Sequence, residues 1–505
     1  MIRWLDDFID GTTMYRLVFY YLGGLLAVAT VLGLFGLVPF DPTALVFSTV
    51  LIALTCWLAN WLFARVFNTP VNVESAWITA LILALIMNPV TATDVVGMGG
   101  LVWASVWAIA SKYMLALGKK HVFNPAALGV ALTALFLGQP ATWWVAGNLT
   151  MLPFVLVGGL LIARKLQRFD LIGVFVLANV LTVALTTPAD MVVQALTETL
   201  THSPLFFLAF AMLTEPLTAP QARWPRLAYG ALVGILASPT IHFGDFYLTP
   251  EIALLAGNAF AWIVSPKGRF ALTLERIEEA ANGAYDFVFS SDRRLAFQPG
   301  QYLEWTLGVP NADSRGNRRS FTIASAPTED EVRLGVKFYP KPSTFKRALG
   351  TMQPGDQIYA SQLAGNFVLP RNPNSKLAFL AGGIGITPFR SMLQYLLDRD
   401  ERRDITMLYG TAEVADIAYR DVFDAADRDL GIRTVYAVAN EPSPEPGMRT
   451  GFIDAKMIRA EIPDYRQRVF YISGPHAMVS LMQHTLRGMG VPHSRIKTDF
   501  FPGLA

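Results

Sequence analysis

Hydrophobic and polar positions divide the chain into two regimes that meet near residue 265. Between Leu17 and Val264, long apolar runs recur, each bounded by charges, proline or glycine. Counting them gives about ten spans, starting near Leu17, Thr43, Ser75, Val95, Phe123, Thr142, Leu171, Pro204, Leu227 and Glu251. Several are shorter than the ~20 residues an upright helix needs to cross the hydrocarbon. From residue 270 onward the pattern changes to alternating strands with polar turns, and then to apolar strands followed by helical stretches. The pattern predicts an α-helical polytopic membrane domain over residues 1–265, a β domain over 270–372 and an α/β domain over 373–505.

Charge placement tests the span count. Between Leu17 and Pro266 the basic residues are Arg65, Lys112, Lys119, Lys120, Arg164, Lys165, Arg168, Arg223 and Arg226, and every one follows an even-numbered span. The odd-numbered connections hold Asp41, Asp94, Asp190, Glu198, Asp245 and Glu251, with no Lys or Arg. Cytoplasmic loops retain positive charge. The expected topology is therefore multi-pass in the plasma (inner) membrane, with both termini and the C-terminal half cytoplasmic. The acidic start, Met1-Ile-Arg-Trp-Leu-Asp-Asp-Phe8, reads as a short interfacial helix rather than a cleaved signal peptide.

Composition narrows the chemistry. The 41 Lys and Arg nearly balance 39 Asp and Glu, and no basic stripe points to nucleic acid. The single cysteine, Cys56, excludes an internal disulfide, a Cys-ligated zinc and a Cys-ligated iron–sulfur cluster within the chain. No metal ligand set is expected.

Two spans are short and end on proline. The third closes on Met87-Asn-Pro-Val-Thr-Ala92 and the eighth on Thr214-Glu-Pro-Leu-Thr-Ala219. The shared Pro-(Val/Leu)-Thr-Ala recurs after five spans, and an odd offset reverses orientation. This predicts an inverted repeat, five plus five, with broken helices meeting near the midplane. Asn124 at span five and Asn258 in span ten form a weaker echo. The alternative, that proline merely stops each helix, leaves the matched ordinal position to coincidence.

His121-Val-Phe-Asn-Pro-Ala-Ala-Leu-Gly129, Ala211-Met-Leu-Thr-Glu-Pro-Leu-Thr-Ala219 and Arg226-Leu-Ala-Tyr-Gly-Ala-Leu-Val-Gly234 resemble signatures of one membrane-subunit family. That family comprises the B subunit of the sodium-translocating NADH:quinone reductase and the D subunit of the Rnf electron-transport complex. The resemblance covers roughly residues 15–265 and implies ten helices, half-helices, flavin binding and membrane electron transfer. One departure matters. The family's Ser-Gly-Ala-Thr motif, whose Thr carries FMN, is absent, and after span five the chain reads Gly138-Gln-Pro-Ala-Thr-Trp-Trp-Val-Ala-Gly147. FMN or riboflavin bound without a covalent bond stays open.

In the C-terminal half, Phe297-Gln-Pro-Gly-Gln-Tyr302 and Arg319-Ser-Phe-Thr322 resemble the flavin-binding barrel of the ferredoxin–NADP reductase family. The resemblance implies FAD. Arg319 would neutralise its pyrophosphate, with Ser320 beside it. Phe321 would cover the isoalloxazine face, and the Thr322 hydroxyl would reach N5. Ser343 and Thr344, in Lys341-Pro-Ser-Thr-Phe345, would begin a helix facing phosphate, Ser343 as its N-cap. Leu377-Ala-Phe-Leu-Ala-Gly-Gly-Ile-Gly-Ile-Thr-Pro388 is an apolar strand entering a glycine turn and a helix. There Gly382, Gly383 and Gly385 would admit a pyrophosphate, and Thr387 and Pro388 would lie near the nicotinamide. Ser473-Gly474-Pro475 resembles the family's Cys-Gly-Pro turn, with Ser473 in place of Cys, and Asp499 stands where the family has a Glu near the flavin. Its alternative is a solvated terminal carboxylate. Without an Arg cluster after the second strand NADH is favoured over NADPH, though Arg420 could reach a 2′-phosphate.

The combined expectation is a membrane-bound oxidoreductase taking hydride from cytoplasmic NAD(P)H through FAD, with electrons passing into the bilayer. A bound flavin, a quinone, an outside acceptor or a partner protein could receive them. Competing readings are a redox-driven ion translocator, with Glu215 as its acidic candidate at a solvated helix end, and a reductase merely anchored by its helices. A haem-based reductase needs paired intramembrane histidines; His121, His202 and His242 sit singly at span edges, the other three in the soluble half.

Overall fold

The computed structural model describes residue 12 and residues 14–67, 73–117, 120–166, 168–244, 246–265, 270–308, 317–340, 342–442 and 445–499. The expected N-terminal interfacial helix, Lys119, Asp245, Lys341 and the tail after Asp499 lie outside the described residues. The chain separates into two compact units, Met1–Lys267 and Gly268–Ala505.

The first unit is helical. Its elements are α1 (Met14–Leu34), α2 (Pro42–Val66), α3 (Val73–Ile86), α4 (Val95–Met114), α5 (Pro125–Leu137), α6 (Leu152–Leu166), α7 (Phe169–Thr186) and α8 (Val192–Thr201). Then come α9, a turn at Leu205–Phe207 continuing as a π-helical turn through Leu208–Met212, α10 (Arg223–Leu236) and α11 (Pro250–Val264). Of these, α1, α2, α4 and α7 are long and apolar enough to cross a membrane. Short polar side chains start three of the helices: Asp41 accepts from Thr43 N at 2.7 Å, Asp94 from Gly97 N at 2.9 Å, and Asn124 from Ala127 N at 3.0 Å. Proline follows directly in α2 and α5, where its missing N–H costs nothing.

Two features depart from the ten-span count. The sixth span, expected from Thr142, becomes helical only at Leu152, and α8 is an additional short helix. Pro140 and the left-handed Trp143 (φ 49°) hold the intervening segment out of a helix. That segment caps α3 instead. Thr142 N and Trp143 N both donate to Ile86 O at 2.9 Å, Val145 N donates to Leu85 O at 3.4 Å, and Trp144 Nε1 donates to Ala84 O at 3.1 Å. A half-helix leaves its last carbonyls unpaired, and these bonds satisfy them.

Packing runs in matched pairs. Helix α2 packs on α4 as α7 does on α10, α4 on α5 as α10 on α11, and α1 on α3 as α6 on α9. In addition, α1 meets α6 and α5 meets α11. A two-residue-per-strand hairpin precedes α5 (β1, Ala116–Leu117, and β2, Lys120–His121) and another precedes α11 (β3, His242–Phe243, and β4, Phe246–Tyr247).

The second unit contains two six-stranded sheets. The first is antiparallel, in the order β8-β7-β10-β5-β6-β9, from β5 (Phe270–Ala281), β6 (Ala284–Ser291), β7 (Tyr302–Thr306), β8 (Arg318–Thr322), β9 (Val332–Lys337) and β10 (Gln357–Ala364). After β8 the chain returns to β9, where Ala324 N donates to Arg333 O at 2.9 Å, so the sheet curls around Phe287, Phe289, Trp305 and Phe345. Helix α12 (Thr344–Gly350) closes its open side.

The second sheet is parallel, in the order β14-β13-β12-β11-β15-β16. Its strands are β11 (Leu377–Gly382), β12 (Ile405–Thr411), β13 (Arg433–Val438), β14 (Arg449–Thr450), β15 (Val469–Ser473) and β16 (Ile496–Asp499). Helices α13 (Thr387–Asp398), α14 (Arg420–Leu430), α15 (Ala455–Glu461) and α16 (His476–Gly488) connect them. Every residue of β11 is buried, which accounts for its unbroken apolar sequence. Strand order reverses between β11 and β15, and at such a switch point a crevice opens beyond the carboxyl ends.

Candidate functional site

The crevice is built from two turns. After β11, Gly382–Ile386 make a tight turn in which Gly383 has φ 51°, a left-handed conformation. A Cβ on Gly385 would lie 2.5 Å from Gly474 Cα and 2.6 Å from Gly474 N. The two glycine turns thus touch backbone to backbone, and the Gly385 position admits no side chain without a shift of that backbone. Helix α13 begins at once with buried Thr387 and with Pro388 in its first turn. Its free N–H groups and positive dipole end therefore open at the crevice.

Strand β16 brings Asp499 beside this turn, in register with Ser473. The Asp499 carboxyl is buried and accepts from Thr322 Oγ1 at 3.4 Å. Burial pushes its pKa up to about 7, although the Thr322 bond pulls the other way. It is therefore an interior group rather than a solvated terminal carboxylate.

Alternation along β8 sorts its residues onto two faces. Arg319 and Phe321 share one: the Arg319 guanidinium stands 5.4 Å from the Phe345 ring, and the Phe321 ring lies tilted at 6.0 Å from the same ring. Thr322 lies on the other with exposed Ser320. Ser343 caps α12, accepting from Lys346 N at 3.3 Å, and Thr344 is the helix's first residue. The segment after β8 is stapled to α13. Arg390 donates to Ala324 O at 3.2 Å and pairs with Glu329, while Ser391 Oγ donates to Ser325 O at 2.7 Å. The structure thereby brings Thr322, Ser473, Asp499 and the two glycine turns together, and places Arg319, Phe321, Ser343 and Thr344 around Phe345.

Two further residues bear on the crevice. Arg420, an exposed side chain, is paired with Glu445 through two bonds, at 2.8 and 3.1 Å. Phe452, which the sequence reading missed, is 81% exposed at the carboxyl edge. Its neighbours fix that place: Gly451 N donates to Val438 O at 2.7 Å, and the Ile453 side chain lies 3.4 Å from a Cβ on Gly410, the register partner of Gly382. The only sequence signal was a lone Phe after a glycine.

The helical unit holds a polar cluster of its own. Glu215 Oε2 accepts from Asn124 Nδ2 at 2.8 Å and from Thr218 Oγ1 at 3.1 Å, and His121 Nε2 lies 3.2 Å from Oε1. Buried Asn258 extends it, accepting from Asn124 N at 2.8 Å and donating to Tyr229 OH at 3.3 Å. The expectation of a solvated Glu215 is thereby corrected: its carboxyl is mostly enclosed, held by His121 and Asn124 and by Thr218 of its own turn. Glu251, expected among the connection acids, is only 1% exposed and accepts from Trp143 Nε1 at 3.1 Å.

Comparison with known proteins follows the same division. Residues 133–266 match the model of the NQR2, RnfD, RnfE family, and residues 379–484 match that of the oxidoreductase NAD-binding domain. The chain thus joins a region similar to the NQR2, RnfD, RnfE family to one similar to the oxidoreductase NAD-binding domain. A flavohemoprotein of Bacillus cereus is 26% identical over 216 residues, covering 41% of this chain and 53% of that protein. The glycine betaine monooxygenase reductase subunit of Pseudomonas aeruginosa is 25% identical over 240 residues, covering 46% of this chain and 64% of that protein. The cytochrome b5 reductase domain of Ulva prolifera nitrate reductase aligns at TM-score 0.42 and 22% identity, over 46% of this chain and 98% of that domain. The chain spans about half the length of the flavohemoproteins it matches. The family match over residues 133–266 falls in the unit that holds the four helices long and apolar enough to cross a membrane, and the NAD-binding match falls in the C-terminal unit.

Proposed function

We propose that this chain oxidises NADH on the cytoplasmic face, through FAD held by the curled sheet, and delivers the electrons into its helical domain. The observation that carries the reading is the meeting of Thr322, from the flavin strand, with Asp499 beside the Gly385–Gly474 turn contact. It puts a hydroxyl and a carboxyl with a raised pKa where nicotinamide and flavin would face each other.

FAD, when bound, supplies the capacity to take a hydride and release electrons singly. The rest is positioning by the chain. Residues 270–372, as the FAD-binding barrel, would hold the cofactor: Arg319, Ser320, Ser343 and Thr344 at its phosphates, Phe321 against its ring, Thr322 toward N5. The donor set fits, since a buried cation, an aromatic face and a hydroxyl occur in that order around one strand. Residues 373–505 would hold NADH, with its pyrophosphate at Gly382, Gly383 and Gly385, its nicotinamide near Thr387, Pro388, Ser473, Gly474 and Pro475, and its adenine on Phe452. Asp499, its carboxyl pKa pushed up to about 7 by burial, can supply or receive a proton near Thr322. Arg420 is engaged by Glu445 rather than set toward a 2′-phosphate, which supports NADH over NADPH.

For the membrane half, the matched packing pairs and the paired hairpins support a ten-span inverted repeat, with residues 1–265 as one domain and α8 as an interfacial addition. Covalent FMN does not fit the segment after α5. Thr142 donates its hydroxyl to Ile86 O at 3.3 Å, and the adjoining Trp143 and Trp144 are buried as part of the α3 cap. A carrier here would be FMN or riboflavin without a covalent bond, or a quinone. The Glu215 cluster favours a second reading, in which electron flow drives a cation. Extraction of purified protein decides between them: FAD with FMN or riboflavin supports a relay, whereas FAD alone, with no reduction of a membrane acceptor, leaves only an anchored reductase. NADH oxidation in proteoliposomes at equal rates with and without sodium would remove a sodium-driven version of the second reading.

A further inference from the structure

Away from the crevice, the curled sheet and the nucleotide half meet at a notch where a side chain is missing. Gly335 on β9 faces Asp286 on β6 in register. A Cβ on Gly335 would lie 2.5 Å from Tyr419 Oη, 2.7 Å from Thr387 Cγ2 and 3.2 Å from Asp286 Oδ1. Three groups from three different elements therefore converge on one glycine. Tyr419 donates its hydroxyl to Asp286 Oδ1, and Arg333 Nη1 lies 3.5 Å from the other carboxylate oxygen. Asp286, Tyr419 and Thr387 are all buried.

Tyr419 reaches this place at a conformational cost. It adopts φ 57°, ψ 32°, left-handed, just before α14. For a bulky residue this is a strained backbone, sustained only where the surroundings over-determine it. They do so here. Tyr409 OH accepts from Ala418 N at 3.3 Å, and the Arg390 guanidinium stands 5.9 Å from the Tyr419 ring while gripping Glu329 and Ala324 O.

We propose that Tyr419, bound to Asp286 through the Gly335 notch, is a positioning residue that sets the distance between the nicotinamide turn and the flavin strand. It touches neither cofactor. It acts through Thr387, whose methyl shares the notch and which is the first residue of α13 after the glycine turn. The inference rests on the preceding reading, in which hydride leaves nicotinamide C4 for flavin N5, oxidising NADH to NAD⁺ and reducing the flavin, with a further proton from solvent. Reacting atoms must approach to about 3–3.5 Å, and a misplacement of about 1 Å lowers the rate about a hundredfold. A rigid strut from sheet to α13 supplies that tolerance, which a phosphate grip at the far end of a dinucleotide does not.

The test uses the full-length, FAD-loaded protein in detergent, mixed with NADH in a stopped-flow instrument. Tyr419→Phe is expected to slow flavin reduction at saturating NADH about tenfold, and Gly335→Ala, which drives Thr387 and Tyr419 out of the notch, about a hundredfold. In both, the NADH Kd and FAD occupancy stay within about twofold of wild type, while the nicotinamide–flavin charge-transfer absorbance weakens. Asp286→Asn keeps an acceptor for the Tyr419 hydroxyl and is expected to retain the rate within about threefold, whereas Asp286→Ala behaves like Tyr419→Phe. Unchanged rates in Tyr419→Phe, or a loss confined to Kd or FAD occupancy, overturn the inference. Should Gly335→Ala not fold, the Tyr419 and Asp286 series decides alone. A wild-type protein whose FAD is not reduced by NADH overturns the underlying reading instead, and is seen before any variant is made.

Discussion

Glu215 and Glu251 of the helical unit are held differently from the half-exposed carboxylates Glu278 and Glu331 of the C-terminal unit, although the helical unit also pairs Asp170 with the buried Arg226 at 2.6 Å. In the helical unit Glu215 is held by an amide, a hydroxyl and an imidazole, and Glu251 by an indole N–H. In the C-terminal unit carboxylates meet guanidinium. Glu331 takes both arms of Arg276 at 2.6 and 2.9 Å, Glu278 binds Arg333 at 2.7 Å, and Glu461 is shared by Arg433 and Arg449. The difference follows from the surroundings. An Arg facing water loses little hydration when it pairs, but in an apolar bundle a second full charge would bring its own desolvation cost. Neutral donors hold the charge with dipoles, which leaves that charge free to respond to something else. Asp499 is the exception that makes the contrast useful: it lies in the C-terminal unit, yet a lone hydroxyl contacts it and its pKa is raised accordingly.

Experiments can break this contrast at several points. The largest effect is expected from Gly385→Val, which forces a side chain into the Gly474 backbone; kcat/KM for NADH should fall by about a hundredfold or more, measured by flavin bleaching. A wild-type value would show that the two turns do not form the nucleotide site.

Asp499→Asn tests the exception. The native carboxyl titrates near pH 7 and an unfolded one near 3.8, so between those values the folded protein holds a proton that the unfolded chain has lost. The stabilisation is complete below the unfolded value and declines as pH rises toward 7. Wild-type denaturation midpoints, followed by flavin release, should therefore fall across that window, and Asp499→Asn should remove this component of the slope. Parallel pH curves would refute an interior acid at this position.

Glu215→Ala should lower NADH-driven reduction of a membrane acceptor about tenfold, because Asn124 and Thr218 lose their common acceptor. Ferricyanide reduction directly by the C-terminal unit should stay at the wild-type rate. If both activities fell together, the cluster would be a matter of general stability rather than of transfer. The smallest effect is expected at Phe452→Ala: KM for NADH should rise about fivefold with kcat unchanged, the worth of one aromatic stacking contact. No change in KM would take adenine off that ring.

Much of the architecture was legible because it depends on short-range signals. The apolar run Leu377–Ala381, ended by glycines and Thr387-Pro388, specifies a buried strand, a tight turn and a helix start without reference to anything distant. Asp41, Asp94 and Asn124 announce helix starts in the same local way. The segment 142–151 was misread as helix because its apolar residues serve to cover the end of α3, a contact made across more than fifty residues of sequence. Periodicity carries no information about such a partner. The same holds for Glu215, which was read from its helix end alone, while its bonds come from Asn124 and His121 in the other half of the unit. Phe452 escaped notice because exposure is a property of the fold and not of a residue type.

By itself, the sequence determined the division into an apolar helical part and a strand-rich part, the alternation of charge between successive connections, and the order of strand, glycine turn and helix. Each arises from solvent preference or from backbone freedom within a few residues. Tertiary structure alone decided that Thr322 meets Asp499, that Gly385 meets Gly474, and that Tyr419 reaches Asp286 through Gly335. Those pairs lie far apart along the chain, and only the closing of sheets and helices on one another turns separate side chains into a site.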